Sequence, residues 1–114
     1  MITITIVRDV EKAIIRFSVS GHALYDDPGK DIVCAGVSAV TIGAVNAIEK
    51  LTGLEPRAIS KSGLLQAEAP RSTDPIRNDQ VQLLLEGMVA ALESIVETYG
   101  KFVKIKETFE KKGG

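Results

Sequence analysis

The sequence has little of several residue types, and each scarcity excludes a class of protein. Its 114 residues include one cysteine, one histidine and no tryptophan. One cysteine cannot form an intramolecular disulfide, and a zinc site would need carboxylates for half of its ligands. We therefore expect no metal and no cofactor. A free thiol also indicates a reducing compartment.

The chain has no large excess of charge of either sign and no long apolar run. Lys and Arg number 14 against 15 Asp and Glu, and a net charge of −1 favours neither nucleic acid nor anionic lipid. Uninterrupted apolar runs are far shorter than the ~20 residues that cross a bilayer. Residues 2–6 alternate isoleucine with threonine, and residues 1–7 lack the features of a signal peptide. We expect a cytoplasmic protein that binds neither membranes nor nucleic acid directly.

The apolar pattern predicts one α+β domain over residues 1–114. Ile2, Ile4 and Ile6 alternate with polar residues, and the alternation resumes at Ile15 after a short polar segment, which predicts an antiparallel hairpin. The element order we expect is β-β-α-β-β-α-β, with two helices packed on one face of a mostly antiparallel sheet. The later predicted elements are a helix from Val33 to Leu51 that stops at Gly53, strands at Arg57–Ile59 and Leu64–Ala67, a helix from Asp74 to Gly100 and a strand at Val103–Ile105.

Cys34 is the candidate nucleophile because it lies at the start of the first predicted helix. With Asp31 as N-cap, the sulfur faces the positive end of the helix dipole, which favours the thiolate. The N–H groups of Cys34 and Ala35 are expected to lack partners within the helix and to suit an oxyanion hole. The alternative interpretation is that Cys34 is a small buried apolar residue, as free cysteines often are.

His22 opens an irregular loop over residues 21–30 and carries the only imidazole for general base catalysis. The loop is long enough to bring the ring to the sulfur of Cys34, although a lone surface histidine is the alternative. Asp31 either caps the helix or orients His22. Ser38 shares a helical face with Cys34, where its hydroxyl either reaches a substrate carbonyl or bonds back to the backbone.

Two short segments resemble the signature of a known family. They are Gly21-His22-Ala23-Leu24-Tyr25 with Gly29, and Asp31-Ile32-Val33-Cys34-Ala35 followed by Val37-Ser38-Ala39. This pattern is similar to that of the bacterial ribosomal-processing cysteine protease Prp family. The resemblance extends over nearly the whole chain. It implies Cys34 as nucleophile and His22 as proton donor and acceptor, and Gly21, Asp31 and Ser38 match further signature positions.

The resemblance also implies a substrate and an assembly. The chain would be a cysteine endopeptidase that removes the N-terminal extension of the twenty-seventh large-subunit ribosomal protein during ribosome assembly, as a homodimer. Ala23, Leu24, Tyr25 and Gly29 would belong to a flexible loop over the substrate. The alternative is a non-catalytic ribosome-associated binding module whose loop only holds a partner's tail.

Overall fold

The described residues form five strands and two helices in the predicted order. The computed structural model describes residues 1–27 and 30–111, so Gly29, expected in the substrate loop, lies outside the described residues. The elements are β1 (Ile2–Asp9), β2 (Ile14–Ser20), α1 (Ile32–Thr52), β3 (Arg57–Lys61), β4 (Leu64–Glu68), α2 (Pro75–Tyr99) and β5 (Val103–Glu110).

The strands form one sheet in the order β3-β4-β2-β1-β5. Within the described residues, β1 pairs with β5 in parallel and the other three pairings are antiparallel. Ile4 lies opposite Val19 on β2 and Ile105 on β5, which fixes the buried face across the sheet. Both helices pack on that face. The predicted α+β fold with a mostly antiparallel sheet is confirmed.

The core lies between this sheet face and the two helices. Ile4 and Ile6 are fully buried, whereas the alternating Thr3 and Thr5 are half-buried on the opposite face. This is the period of two expected for a strand with one face in the core. Val37 of α1 and Leu92 of α2 belong to the same cluster of buried side chains.

Helix α1 has the predicted caps. The carboxylate of Asp31 accepts hydrogen bonds from backbone N–H groups in the first turn, and Gly53 ends the helix with φ of 77°. A left-handed residue at that position suits glycine, which has no Cβ to clash. By length and composition alone α1 could cross a membrane, but here it buries Val33, Val37 and Ile48 in the core. The first turn of α1, where Cys34 lies, is therefore well fixed.

Strand β5 is longer than predicted. The alternation of apolar residues ends at Ile105, yet the strand continues to Glu110 because Thr108 and Phe109 pair with Val7 and Arg8 of β1. An edge strand with exposed side chains needs no apolar alternation, since its neighbour supplies the hydrogen bonds. The sequence pattern therefore marks only the buried half of this strand.

Candidate active site

Three segments distant in sequence meet at one end of the sheet. Ser20 at the end of β2 lies opposite Leu64, which places the β3–β4 turn beside the residues that follow β2. The first turns of α1 lie against both. Together these segments line a cavity of about 180 Å³, and both His22 and Cys34 lie in its wall. The fold thus brings the only cysteine and the only histidine of the chain to one cavity.

Cys34 is held at the third residue of α1 with its sulfur facing the loop. The side chain is half-buried, and Sγ accepts a hydrogen bond from the backbone N–H of Ala23 at 3.4 Å. Ala23 itself is buried, with 2% of its surface exposed. A fixed N–H donor directed at sulfur orients the atom toward the loop.

His22 is positioned by the glycines on either side of the site. Gly21 has φ of 89°, and a Cβ at this residue would collide with the carbonyl oxygen of Met1. Its N–H donates to the carbonyl oxygen of Gly63 at 2.9 Å. The imidazole then lies against Gly63, where an added Cβ would sit 3.0 Å from Nε2. Position 21 therefore requires glycine, whereas a Cβ at residue 63 would have to displace the His22 ring.

Asp31 fastens the loop to the helix. Oδ1 accepts hydrogen bonds from the N–H groups of Val33 and Cys34 at 3.0 Å, and Oδ2 accepts from those of Tyr25 at 3.0 Å and Asp26 at 3.4 Å. Capping, one of the two roles predicted for Asp31, is confirmed. Each of these partners is a backbone N–H group, so the contacts of Asp31 with the chain fix the loop and the helix rather than the His22 ring.

These contacts also set the charge of Asp31. Burial acts to raise the pKa of the carboxyl, but the hydrogen bonds from Cys34, Tyr25, Asp26 and Val33 outweigh it and hold the pKa below its usual value. The ionised side chain is thus the form that the site stabilises.

The prediction that the N–H groups of Cys34 and Ala35 are available to an oxyanion is wrong. The N–H of Cys34 donates to Asp31 Oδ1, and the N–H of Ala35 donates to the carbonyl oxygen of Asp31 at 3.0 Å. Ala35 is the fourth residue of the helix, where the first regular helical hydrogen bond forms, and the cap side chain takes the donor before it. Neither group is free to bind a developing negative charge.

Of the remaining predicted residues, Ser38 belongs to the cavity wall, whereas Leu24 and Tyr25 are not among the residues that line it. Ser38 is exposed and lines the cavity one turn after Cys34. In the loop, Leu24 is 78% exposed with φ of 58°. The ring of Tyr25 packs edge-on against Tyr99 and Phe102, with centroids 5.7 and 5.2 Å apart. Aromatic contacts and the Asp31 carboxylate thus hold one part of the loop, while Leu24 projects into solvent.

Comparison with known proteins assigns the family. The model of the family described as "Cysteine protease Prp" matches residues 1–104. The chain belongs to this family. It is 45% identical over 101 residues to the ribosomal processing cysteine protease Prp of Bacillus subtilis, covering 87% of this chain and 90% of that protein. It is 37% identical to the Prp of Staphylococcus aureus, covering 92% of this chain and 97% of the relative.

Solved structures of Prp share the fold. The S. aureus protease with a covalently linked product peptide superposes with a TM-score of 0.86 at 34% identity, covering 95% of this chain and all of that one. The same protease with a substrate peptide gives a TM-score of 0.79 over the same coverage. The chain is therefore a cysteine protease of the ribosomal-processing Prp family.

The sequence patterns missed one wall of the candidate site. Ser60, Lys61 and Gly63 of the β3–β4 hairpin line the cavity with Cys34. The Ser62-Gly63 turn signal was recognisable, but nothing in the local pattern tells at which end of the sheet the hairpin lies.

A larger concavity of about 810 Å³ lies along β2, β4 and β3, and its lining contains neither cysteine nor histidine.

Proposed function

We propose that this protease removes the N-terminal extension of the twenty-seventh large-subunit ribosomal protein during ribosome assembly, with Cys34 as nucleophile and His22 as proton donor and acceptor. One observation carries the proposal: the sole cysteine and sole histidine line one cavity at the N-terminus of α1. Relatives named ribosomal processing proteases, and a relative bound to substrate and product peptides, support it.

The chemistry follows from these two side chains. The Cys34 thiolate attacks the scissile carbonyl carbon, and the tetrahedral intermediate collapses as His22 gives its proton to the leaving amine. The C–N bond breaks and a thioester remains on sulfur. His22 then takes a proton from water, the hydroxide attacks the thioester, and the new carboxylate leaves as the Cys34 sulfur is released.

The loop and the assembly complete the proposal. Loop residues beginning with Leu24 cover the peptide during the reaction and limit the access of bulk water to the site. We also propose that the protein is cytoplasmic, as its free thiol indicates, and that it acts as a homodimer, as the resemblance to Prp implies; light scattering of the purified chain measures the assembly.

The test is cleavage of the extended ribosomal protein from the same organism, followed by intact mass over time. We expect the parent enzyme to release a single N-terminal fragment. Cys34→Ala should cleave at least about a thousandfold more slowly, because no other side chain supplies the nucleophile. Ser94→Ala, a change on the exposed surface of α2, is the matched control and should cleave like the parent.

The competing hypothesis is a binding module without catalysis. It is favoured if neither parent nor variant cleaves the substrate while both bind it. Thiol chemistry separates the two hypotheses independently: a catalytic Cys34 should react rapidly with iodoacetamide at pH 6 to 7, whereas an inert thiol should react slowly over that range. Slow alkylation together with absent cleavage would overturn the proposed function.

A further inference from the structure

Strand β3 lies at the end of the sheet beside the active-site cavity. It pairs with β4 on one side, and all five of its residues are exposed. Its last two residues, Ser60 and Lys61, line the cavity that contains Cys34 and His22. An edge strand leaves backbone hydrogen-bonding groups open to another extended chain. Here that edge leads directly to the nucleophile.

The register identifies which backbone groups face outward. Lys61 lies opposite Leu64, and the two residues Ser62 and Gly63 join them. A pair that closes so short a turn is a hydrogen-bonded pair. Hydrogen-bonded and non-hydrogen-bonded pairs alternate along an antiparallel ladder. The N–H and C=O groups of Ser60 and Ala58 therefore point away from β4, whereas those of Ile59 bond to it.

The opposite wall of the cavity is helix α1. Cys34 and Ile42 both line it, and their separation of eight positions corresponds to a rise of about 12 Å along the helix axis. The same distance is spanned by about four residues of an extended peptide. The side chain of Ser60 shares the helix-facing side of the sheet with Leu65, its partner on β4. The part of the cavity along α1 and the free edge of β3 thus extend side by side away from Cys34.

We propose that the substrate peptide binds as a sixth strand on the free edge of β3, exchanging backbone hydrogen bonds with Ala58 and Ser60, so that its scissile bond lies at Cys34. This inference rests on the proposed function, since the occupant is the peptide that the protease cuts. Every second side chain of the peptide then faces α1 near Thr41 and Ile42. The intervening side chains face solvent and are free to vary.

Backbone pairing suits the chemistry of this site. A protease must hold an extended backbone with one carbonyl at the nucleophile, and main-chain hydrogen bonds fix that register without regard to sequence. The side chains of Arg57 and Lys61 lie on the other face of the sheet from Ser60. They therefore leave the edge accessible while discouraging two such edges from pairing with each other.

The first experiment removes single N–H groups from the substrate. The cleaved bond is first located by mass spectrometry on the whole ribosomal protein. A set of peptides that span this bond is then made, each with one N-methylated residue at a different position. We expect KM to rise about tenfold at alternate residues on one side of the scissile bond and to change less than twofold between them. If N-methylation raised KM equally at neighbouring residues, or raised it at no residue on either side of the scissile bond, the proposed strand pairing would be wrong.

The second experiment changes the edge itself. Ala58→Pro removes one outward N–H while keeping the ladder to β4, a position where an edge strand tolerates proline. We expect KM to rise about tenfold with little change in kcat. Ile59→Ala is the matched control, because it trims a side chain on the other face of the same strand and keeps both outward amides. Its KM should equal that of the parent.

Amide hydrogen exchange keeps the test independent of whether Ala58→Pro folds. In Cys34→Ala, addition of the mapped peptide should slow exchange at Ala58 and Ser60 at least about tenfold and leave Ile59 unchanged. Cleavage by the parent without this protection would overturn the inference and leave the proposed function standing. Failure of the parent to cleave or bind the ribosomal protein would overturn both.

Discussion

Gly63 shows how a single missing Cβ positions the proposed base. An added Cβ would lie 3.0 Å from His22 Nε2, and φ at this residue is 72°. We expect Gly63→Ala to push the imidazole out of line and lower kcat by about tenfold or more, with little change in KM. The left-handed conformation should cost about 1 kcal/mol of stability. Steady-state kinetics and thermal melts measure both effects.

Gly87→Ala provides the control at the same scale. It lies inside α2, where an added Cβ meets nothing within 4 Å. Alanine is the better helix former, so this variant should gain about 0.5 to 1 kcal/mol and keep the parent kcat. An unchanged kcat in Gly63→Ala would show that the ring does not depend on this contact.

The same residues mark what the sequence could and could not predict. Cys34, His22 and the cap Asp31 carry their own chemistry and lie close together in the chain, so type and spacing mark them as candidates. Gly63 lies 41 residues beyond His22 and reaches it only because β2 and β4 pair in one register. The N–H groups of Cys34 and Ala35 were misjudged because the cap side chain and the first helical hydrogen bond take them.

Arg8 joins three elements at the opposite end of the sheet from the site. Its guanidinium donates to both oxygens of Glu86 on α2 at 2.6 and 2.9 Å and to Glu107 on β5 at 3.1 Å. The Arg8 side chain is only 12% exposed. The hydrogen bonds from Arg8 lower the pKa of Glu86, and burial opposes them only in part.

We therefore expect Arg8→Met to destabilise the fold by about 2 kcal/mol, because it removes a bidentate pair and a second carboxylate contact together. Both glutamates are partly exposed and regain water, which keeps the loss below that of a fully buried pair. Arg57→Met is the comparison, since Arg57 is 88% exposed and 4.0 Å from Glu68. It should change stability by less than about 0.5 kcal/mol in urea titrations; equal losses would contradict the argument.

Whole-molecule topology was the least predictable level. Periodicity identified strands and helices, but β1 pairs in parallel with β5, about a hundred residues along the chain. No local signal states which strands are neighbours.

Acid should unfold this molecule through three carboxylates in different parts of it. Asp31 binds the loop to α1, Glu86 binds α2 to Arg8, and Glu110 on β5 binds Arg16 on β2, and each has a lowered pKa. A carboxylate with a lowered folded-state pKa stabilises the fold at pH values above its unfolded-state pKa of about 4. That contribution is lost as the pH falls through the folded-state value.

The melting temperature should therefore stay nearly constant from pH 7 to 5 and fall steeply below about pH 4. Asp31→Asn should melt lower than the parent at pH 7 and lose less on acidification, because its amide is uncharged at every pH. Glu93→Gln, an exposed change on α2, should keep the parent's slope. If the melting temperatures of Asp31→Asn and the parent fall equally between pH 5 and 3, the hydrogen bonds that join the loop to α1 do not depend on the ionised carboxylate.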